Sequence, residues 1–372
     1  MTPPPKSLML VLATLMLAGC TAMPRPEVAP ARIAAAAADR MGGVRFPADA
    51  APPTPGPSDD LAQDILVLSG GGPDGAYGAG LLRGWQARGD LPQFDVVTGV
   101  STGALMAPLA FLGGDRLADL ERLYTGDDVT RILSQGSPLR LVRGPSIYRS
   151  KRLRAMIAAA IRPAVLADIA AQHRAGRRLY VATANIDAQV RQIWDMGEIA
   201  ARGTPASAAL FHDILLAAAS IPIAFDPVPV AVEAPGEHVT ELHADATLFG
   251  LIYADARLFD AARCRAPGGR CTLYVIAHNK TRPEPRTVKL NVADVGARVL
   301  DTLIKADLAT KLRVAREEAA DVGATFRFTY LDVPFESVSA IDFDPAYMRK
   351  IFAIGRERGV AGVNWLTDVP AP

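Results

Sequence analysis

The sequence has little net charge, few histidines and few cysteines. Each scarcity limits the kinds of site that the protein can form. Its 40 lysine and arginine residues nearly equal its 39 aspartate and glutamate residues, and the resulting net charge of +1 argues against a nucleic-acid-binding surface. The apolar run of residues 8–17 is too short to cross a bilayer as a helix. Only His278, after the predicted strand Thr272–Ala277, stands where a Ser-His-Asp triad would need its histidine.

The N-terminus carries a targeting pattern. Lys6 precedes the apolar run, and Leu17–Cys20 follows it with small residues and a cysteine. This arrangement resembles a bacterial lipoprotein signal, which implies removal of residues 1–19 and attachment of lipid to Cys20. Because Thr21 is not the aspartate associated with inner-membrane retention, the resemblance implies an outer-membrane protein that faces the periplasm. A simple secretory signal with a chance cysteine is the alternative.

Proline and alanine dominate residues 20–62. The prolines interrupt regular elements along this stretch, which therefore predicts a flexible tether. Residues 63–372 show no second linker and are expected to form one large domain, with the main motifs in 64–250 and a C-terminal extension in 251–372.

Three cysteines are present, and two of them remain after Cys20 is assigned to lipid. Cys264 and Cys271 flank a loop rich in proline and glycine, which can turn the chain back on itself. In an oxidising periplasm this pair predicts a disulfide. Two free thiols are the alternative, because sequence does not give the distance between them.

The stretch Asp95–Leu105 organises the chain. It leads a short β-branched strand into a turn that carries Ser101 between Gly99 and Gly103, and then into an apolar helix. This is the pattern of a nucleophile elbow, in which one glycine permits close helix–strand packing and the other tolerates a strained turn. A helix N-terminus also favours developing negative charge. A serine that only caps the helix would give the same local pattern, so the surrounding motifs must decide.

An earlier apolar strand, Ile65–Leu68, enters a glycine loop and then a helix. Gly70, Gly72 and Gly75 fit the dinucleotide-binding pattern G-x-G-x-x-G, but the next strand ends in the serine elbow instead of the acidic residue that would bind a ribose. An α/β-hydrolase that uses a histidine is a second alternative. It is disfavoured because only two strands precede Ser101.

Together, Ser69-Gly-Gly-Gly-Pro-Asp-Gly75 and, one helix later, Gly99-Val-Ser-Thr-Gly103 resemble the patatin-like phospholipase family. The resemblance covers about residues 64–250. It implies an α/β protein with a three-layer α/β/α fold and a mostly parallel central sheet. It further implies a serine hydrolase that cleaves acyl esters of lipids without a metal or other cofactor, with a lipid as substrate and a membrane contact through the N-terminal lipid.

The family's catalytic dyad maps onto Ser101 and Asp245. The segment His243-Ala-Asp-Ala-Thr247 occupies the place of the family's Asp-Gly-Gly or Asp-Gly-Ala motif. Ser101 would attack the ester carbonyl while Asp245 accepts its proton, and water would hydrolyse the acyl-enzyme. An aspartate with a pKa of about 3.9 is a weak base, so burial must raise the pKa. His243, on the same strand face, would either assist Asp245 or face the neighbouring helix layer.

The resemblance also implies that backbone N–H groups of Gly70, Gly71, Gly72 and Thr102 form the oxyanion hole. Because Pro73 has no N–H, Gly71 and Gly72 are the favoured donors in the loop.

The sequence departs from the family at two positions. Asp74 replaces a basic residue, and its charge is expected to disfavour anionic substrates. Ala246 replaces a glycine, which is tolerated unless the position needs positive φ. A catalytically silent interaction module that retains the elbow remains an alternative to an enzyme.

An amphipathic pattern covers residues 295–320 in the C-terminal extension. Its apolar side comprises Val299, Leu300, Leu303, Leu308 and Leu312. Acidic residues there nearly match basic ones, so the pattern predicts a helix packed on the core rather than inserted in a membrane.

Overall fold

The computed structural model describes residues 25–53, 56, 61–126, 146–148, 150–234, 237–335 and 343–370. The predicted signal and the predicted lipidation site, Cys20, lie outside these residues. The strands are β1 (Arg45–Pro47), β2 (Ala62–Leu68), β3 (Val96–Gly99), β4 (Ser146–Tyr148), β5 (Arg178–Asn185), β6 (Val190–Asp195), β7 (Ile223–Phe225), β8 (Val228–Ala234), β9 (Glu237–Asp245), β10 (Arg270–Ala277) and β11 (Thr325–Tyr330). The α-helices are α1 (Pro30–Ala38), α2 (Gly75–Arg88), α3 (Thr102–Leu112), α4 (Arg116–Thr125), α5 (Lys151–Ala160), α6 (Pro163–Arg174), α7 (Met196–Ala201), α8 (Pro205–Ala218), α9 (Ala261–Arg265), α10 (Val292–Asp321) and α11 (Pro345–Ala361).

A nine-stranded sheet forms the middle layer, with β1, β6, β5, β3, β2, β10 and β11 side by side in that order. The run from β5 to β11 is parallel throughout. Antiparallel strands extend it, because β6 pairs with β5 and β1, and β9 pairs with β5 and β8. A separate two-stranded sheet joins β4 to β7.

Helices cover both faces of the large sheet. Along β2, Leu66 and Leu68 enter the buried cluster that includes residues of α2, α3 and α11, whereas Ile65 and Val67 enter the cluster that includes residues of α10. This alternation follows from the two-residue period of a strand, which sends successive side chains to opposite faces. A continuous apolar run is therefore what a strand buried on both faces requires. The predicted α/β fold with a mostly parallel sheet between helical layers is confirmed.

The segment before the sheet is folded onto the domain, which corrects the tether predicted for residues 20–62. Strand β1 pairs with β6, and in α1 Ala36 and Ala37 are buried. The fully buried Arg45 Nη1 lies 2.5 Å from Glu241 Oε2. The prolines fit because Pro30 stands in the first turn of α1 and Pro47 ends a short edge strand, where missing N–H groups do little harm. Residues 25–53 therefore belong to the folded domain.

Across the described ranges, no helix combines the length and apolar character needed to cross a membrane.

Candidate active site

Ser101 lies in the turn between β3 and α3, and its backbone has the geometry of a nucleophile elbow. Its φ of +54° and ψ of −124° belong to a region that non-glycine residues rarely adopt. A Cβ at Gly99 would come within 2.5 Å of the carbonyl oxygen of Gly103, and a Cβ at Gly103 within 2.3 Å of that of Leu68. Only glycine at both positions lets the helix approach the sheet this closely.

Strand register brings Asp245 beside this serine. In the parallel pair of β3 and β5, Gly99 is opposite Val181, and β3 then ends. Strand β9 continues on the same side of β5 in the antiparallel direction and ends with Asp245 opposite Thr183. The carboxylate therefore projects from just beyond the end of β3, where the elbow begins.

The two side chains are in direct contact. Ser101 Oγ donates to Asp245 Oδ2 at 2.5 Å. The second carboxylate oxygen, Oδ1, accepts from the backbone N–H of Thr247 at 2.9 Å and from its hydroxyl at 2.7 Å. The sequence pattern does not predict this role for Thr247, although its place two residues after the aspartate fits a local turn of this kind.

Burial raises the pKa of Asp245 above its ordinary value, and the hydrogen bonds from Ser101 and Thr247 oppose that rise. The carboxylate is completely buried. The environment thus makes Asp245 a stronger proton acceptor than a solvated aspartate, which is the property that a general base needs.

Backbone N–H groups for an oxyanion are found on both sides of Ser101. In the part of the chain that the structure describes, the N–H groups of Gly71, Gly72 and Thr102 donate to no acceptor. Gly70 is different, because its N–H donates to the carbonyl of Leu251 at 2.8 Å. Its predicted place in the oxyanion hole is therefore wrong. Gly72 and Thr102 line the same cavity as Ser101 and are the best-placed donors.

Tyr124, on α4, holds Thr102 in place. Its hydroxyl donates to the Thr102 carbonyl at 2.7 Å and lies 2.6 Å from the Thr102 hydroxyl. The start of α3 is thus fixed next to Gly75, where a Cβ would come within 2.3 Å of Thr102 Oγ1. Sequence pattern does not predict this contact, because Tyr124 occupies an ordinary apolar position on a helix face.

An apolar cavity opens beside Ser101. Its walls come from four helices and the segment around β7, including Leu105 of α3, Met156 of α5, Phe225 of β7 and Met348 of α11. Acidic and basic side chains are absent from its lining within the described residues. Such a cavity suits a hydrocarbon chain whose ester carbonyl reaches the serine.

The family model for patatin-like phospholipases matches residues 66–260, more than half of the chain. The chain belongs to the patatin-like phospholipase family. It is therefore a lipid acyl hydrolase by family. The matched range agrees with the predicted extent of 64–250. Among solved structures, VipD from Legionella pneumophila is similar, with 13% identity and a TM-score of 0.42 over 81% of this chain and 67% of that chain. No curated protein sequence matches the chain significantly.

His243 of the patatin-like domain is engaged in a buried network. Its Nδ1 lies 2.9 Å from Thr183 Oγ1, and its Nε2 lies 3.0 Å from Glu241 Oε2. Burial lowers the pKa of His243 while Glu241 opposes that shift. Trp194 Nε1 also donates to Thr183 at 2.8 Å. Because both ring nitrogens are occupied here, His243 braces β9 against β5, and the prediction that it assists Asp245 receives no support.

His278, the predicted position of a triad histidine, holds the glycine loop instead. Its Nδ1 lies 2.6 Å from the carbonyl oxygen of Ser69, and its backbone N–H donates to Ser69 Oγ at 2.8 Å. Burial lowers the pKa of His278 to about 4, so the ring is neutral at physiological pH. Ser101 donates to Asp245 and not to this ring. The α/β-hydrolase alternative is therefore not supported, because the histidine that it needs does not accept the Ser101 proton.

Asp74 is not among the residues that line the cavity, so the expectation that its charge disfavours anionic substrates receives no support. Its Oδ1 accepts from the hydroxyl of Tyr347 on α11 at 2.5 Å. Burial raises the pKa of Asp74 to about 7, although the bond from Tyr347 works in the opposite direction. Ala246 has no positive φ, so the alanine at this departure from the family is unstrained.

The sulfur atoms of Cys264 and Cys271 are bonded to each other, and both side chains are buried between α9 and β10. This arrangement has the connectivity that the sequence predicts and closes the loop that precedes β10.

Proposed function

We propose that this chain hydrolyses acyl esters of lipids through a Ser101/Asp245 dyad and an acyl-enzyme intermediate. One observation carries the proposal: a serine in elbow geometry donates to a buried carboxylate at 2.5 Å beside an apolar cavity. Relative rates on a phospholipid, a lysophospholipid and a short-chain ester distinguish phospholipase A, lysophospholipase and esterase activity.

In the proposed reaction, the acyl chain enters the apolar cavity and the ester carbonyl comes to rest over Ser101. Asp245 Oδ2 takes the hydroxyl proton as Oγ forms a bond to the carbonyl carbon. The N–H groups of Gly72 and Thr102, with that of Gly71 nearby, hold the oxyanion. Asp245 then returns the proton to the departing alkoxide, and water repeats the sequence on the acyl-enzyme to release the fatty acid.

The decisive experiment is covalent labelling with a fluorophosphonate, which reacts with an activated serine whatever the substrate. We expect labelling of the wild type, none of Ser101→Ala, and strongly reduced labelling of Asp245→Asn, because residues that act as one unit lose most activity singly. Ser220→Ala is the matched control, since this buried serine donates to the carbonyl of Leu216. Equal labelling of wild type and Ser101→Ala would identify a silent module or another nucleophile.

The N-terminal pattern supports a second, separate proposal, that Cys20 carries lipid and anchors the protein in the outer membrane on the periplasmic side. Only residues 21–24 would then separate the lipid from Arg25, whose guanidinium pairs with Asp187 at 2.6 Å. The domain would sit close to the membrane instead of swinging on a long tether. Radioactive palmitate should enter the wild type but not Cys20→Ser, and membrane fractionation should follow the same pattern.

A further inference from the structure

Helix α10 carries a row of exposed apolar side chains on its N-terminal half. Val295, Val299 and Leu303 are 41%, 53% and 62% exposed, and Leu290, just before the helix, is 98% exposed. Their spacing of four residues places the three helical side chains on one face. Further along, Leu308 and Leu312 are fully buried. The predicted core packing of this amphipathic pattern is therefore correct for its C-terminal half and wrong for Val299 and Leu303. We call Leu290, Val295, Val299 and Leu303 the α10 patch.

Helix α10 packs on the face of the sheet opposite the cavity, but the α10 patch lies near the end of the strands where Asp245 and Ser101 meet. Asp307, one helical turn after Leu303, lies so close to Gly250 that a Cβ there would come within 2.7 Å of its carboxylate. Gly250 ends the turn that begins with Asp245. In that turn Leu248 is a further exposed apolar side chain, at 57%.

The surroundings of the α10 patch are basic. Residues 280–305 contain six lysines and arginines but three acidic residues. Of the acidic residues, Glu284 already accepts from Lys280 at 2.5 Å and from Lys305 at 2.6 Å. Arg298 pairs with Asp301 at 3.3 Å. Arg286 and Lys289 are exposed in the segment just before the patch and supply its positive rim. An apolar strip with a positive rim complements an anionic lipid surface, whose headgroups attract cations while the acyl region accepts apolar side chains.

We propose that the α10 patch docks the domain onto an anionic lipid surface with the active site facing the membrane. This inference rests on the proposed lipid substrate, because a hydrolase whose apolar cavity lies beside its serine must draw an acyl chain out of a bilayer. The patch would enter the headgroup boundary while its rim binds anionic headgroups, so docking should weaken as salt rises.

The test places an environment-sensitive NBD probe at single cysteines in the full chain carrying Cys20→Ser, so that no lipid can attach there. Leu303→Cys reports on the patch. Leu61→Cys and Val360→Cys are matched controls, at 43% and 49% exposure, and Leu61 precedes β2, at the opposite end of the parallel strands from Ser101. Each labelled protein is mixed with phosphatidylglycerol vesicles and with phosphatidylcholine vesicles.

We expect a severalfold rise in NBD fluorescence for the Leu303 probe with phosphatidylglycerol vesicles, a smaller rise at high salt or with phosphatidylcholine, and no change for the control probes. An unchanged Leu303 probe, or equal changes at all three sites, would overturn the proposal. A rise on concentrating the protein without vesicles would also overturn it, because the occupant would then be a second copy of the chain. Hydrolysis of a soluble ester by the same labelled proteins tests the proposed function separately, since it requires the dyad and not the patch.

Discussion

Thr247 should set the pH at which the enzyme becomes active. Its hydroxyl donates to Asp245 Oδ1 at 2.7 Å, and Thr247→Val removes that donor while it keeps the shape of the side chain and the backbone N–H bond. The lost bond favours the ionised carboxylate, so the pKa of Asp245, already raised by burial, must rise further in the variant.

The size of the shift follows from the strength of the bond. A hydrogen bond to an ionised group stabilises by about 1.5–3 kcal/mol, and the neutral carboxyl retains part of that interaction. A difference of about 1.4 kcal/mol between the two protonation states equals one pKa unit. The acid limb of kcat/KM should therefore move up by about one pH unit, which lowers the rate about tenfold on that limb and leaves it nearly unchanged on the alkaline plateau.

The assay is the pH profile of kcat/KM on a soluble short-chain ester. The rate at each pH is measured by titrating the acid that is released. Thr240→Val is the matched control, because Thr240 is exposed on the same strand, β9, and its profile should coincide with the wild type. An acid limb that stays in place or moves to lower pH in Thr247→Val would show that Asp245 is not the group whose ionisation activates the enzyme.

Three further changes probe the rest of the structure. Because burial raises the pKa of Asp74 from 3.8 to about 7, the native state binds its proton more tightly in that interval, and the wild-type free energy of unfolding should fall by on the order of 3 kcal/mol from this group between pH 5 and 8. Asp74→Asn should abolish that fall in urea titrations, and identical pH dependence in both proteins would contradict it. Arg45→Met leaves the buried carboxylate of Glu241 without its cation and should lower the free energy of unfolding by about 3–5 kcal/mol in chemical denaturation. Arg88→Met, at an exposed ion pair, should lower it by under about 1 kcal/mol. Reduction of the Cys264–Cys271 bond, which closes a short loop, should cost about 2–3 kcal/mol without unfolding the domain, and mass spectrometry of unreduced protein should find no free thiol at either position.

The sequence determined those features that depend on neighbours along the chain. Ser101 follows a β-branched strand, lies between Gly99 and Gly103, and precedes an apolar helix. This local pattern predicts a tight strand-to-helix turn, and the turn is present. The apolar runs of β2 and β10 likewise required burial on both faces, which only a sheet between two helical layers supplies. The resemblance to the family then singled out Asp245 as the partner of Ser101.

Tertiary structure decided which groups are available to the reaction. Gly70 has the same local sequence as its neighbours, but a carbonyl from Leu251 takes its N–H. Asp74 is buried and accepts a hydrogen bond from Tyr347, far along the chain. The proline-rich N-terminal segment packs on the sheet through the pairing of β1 with β6 and the buried ion pair of Arg45 with Glu241 on β9. In each case the residue that makes the contact is more than a hundred positions away along the chain. The pattern of side chains in the sequence shows only local periodicity, so it does not predict such a contact. The exposure of the α10 patch has the same origin: a helical repeat shows that an apolar face exists, and only the packed neighbours determine whether that face is covered.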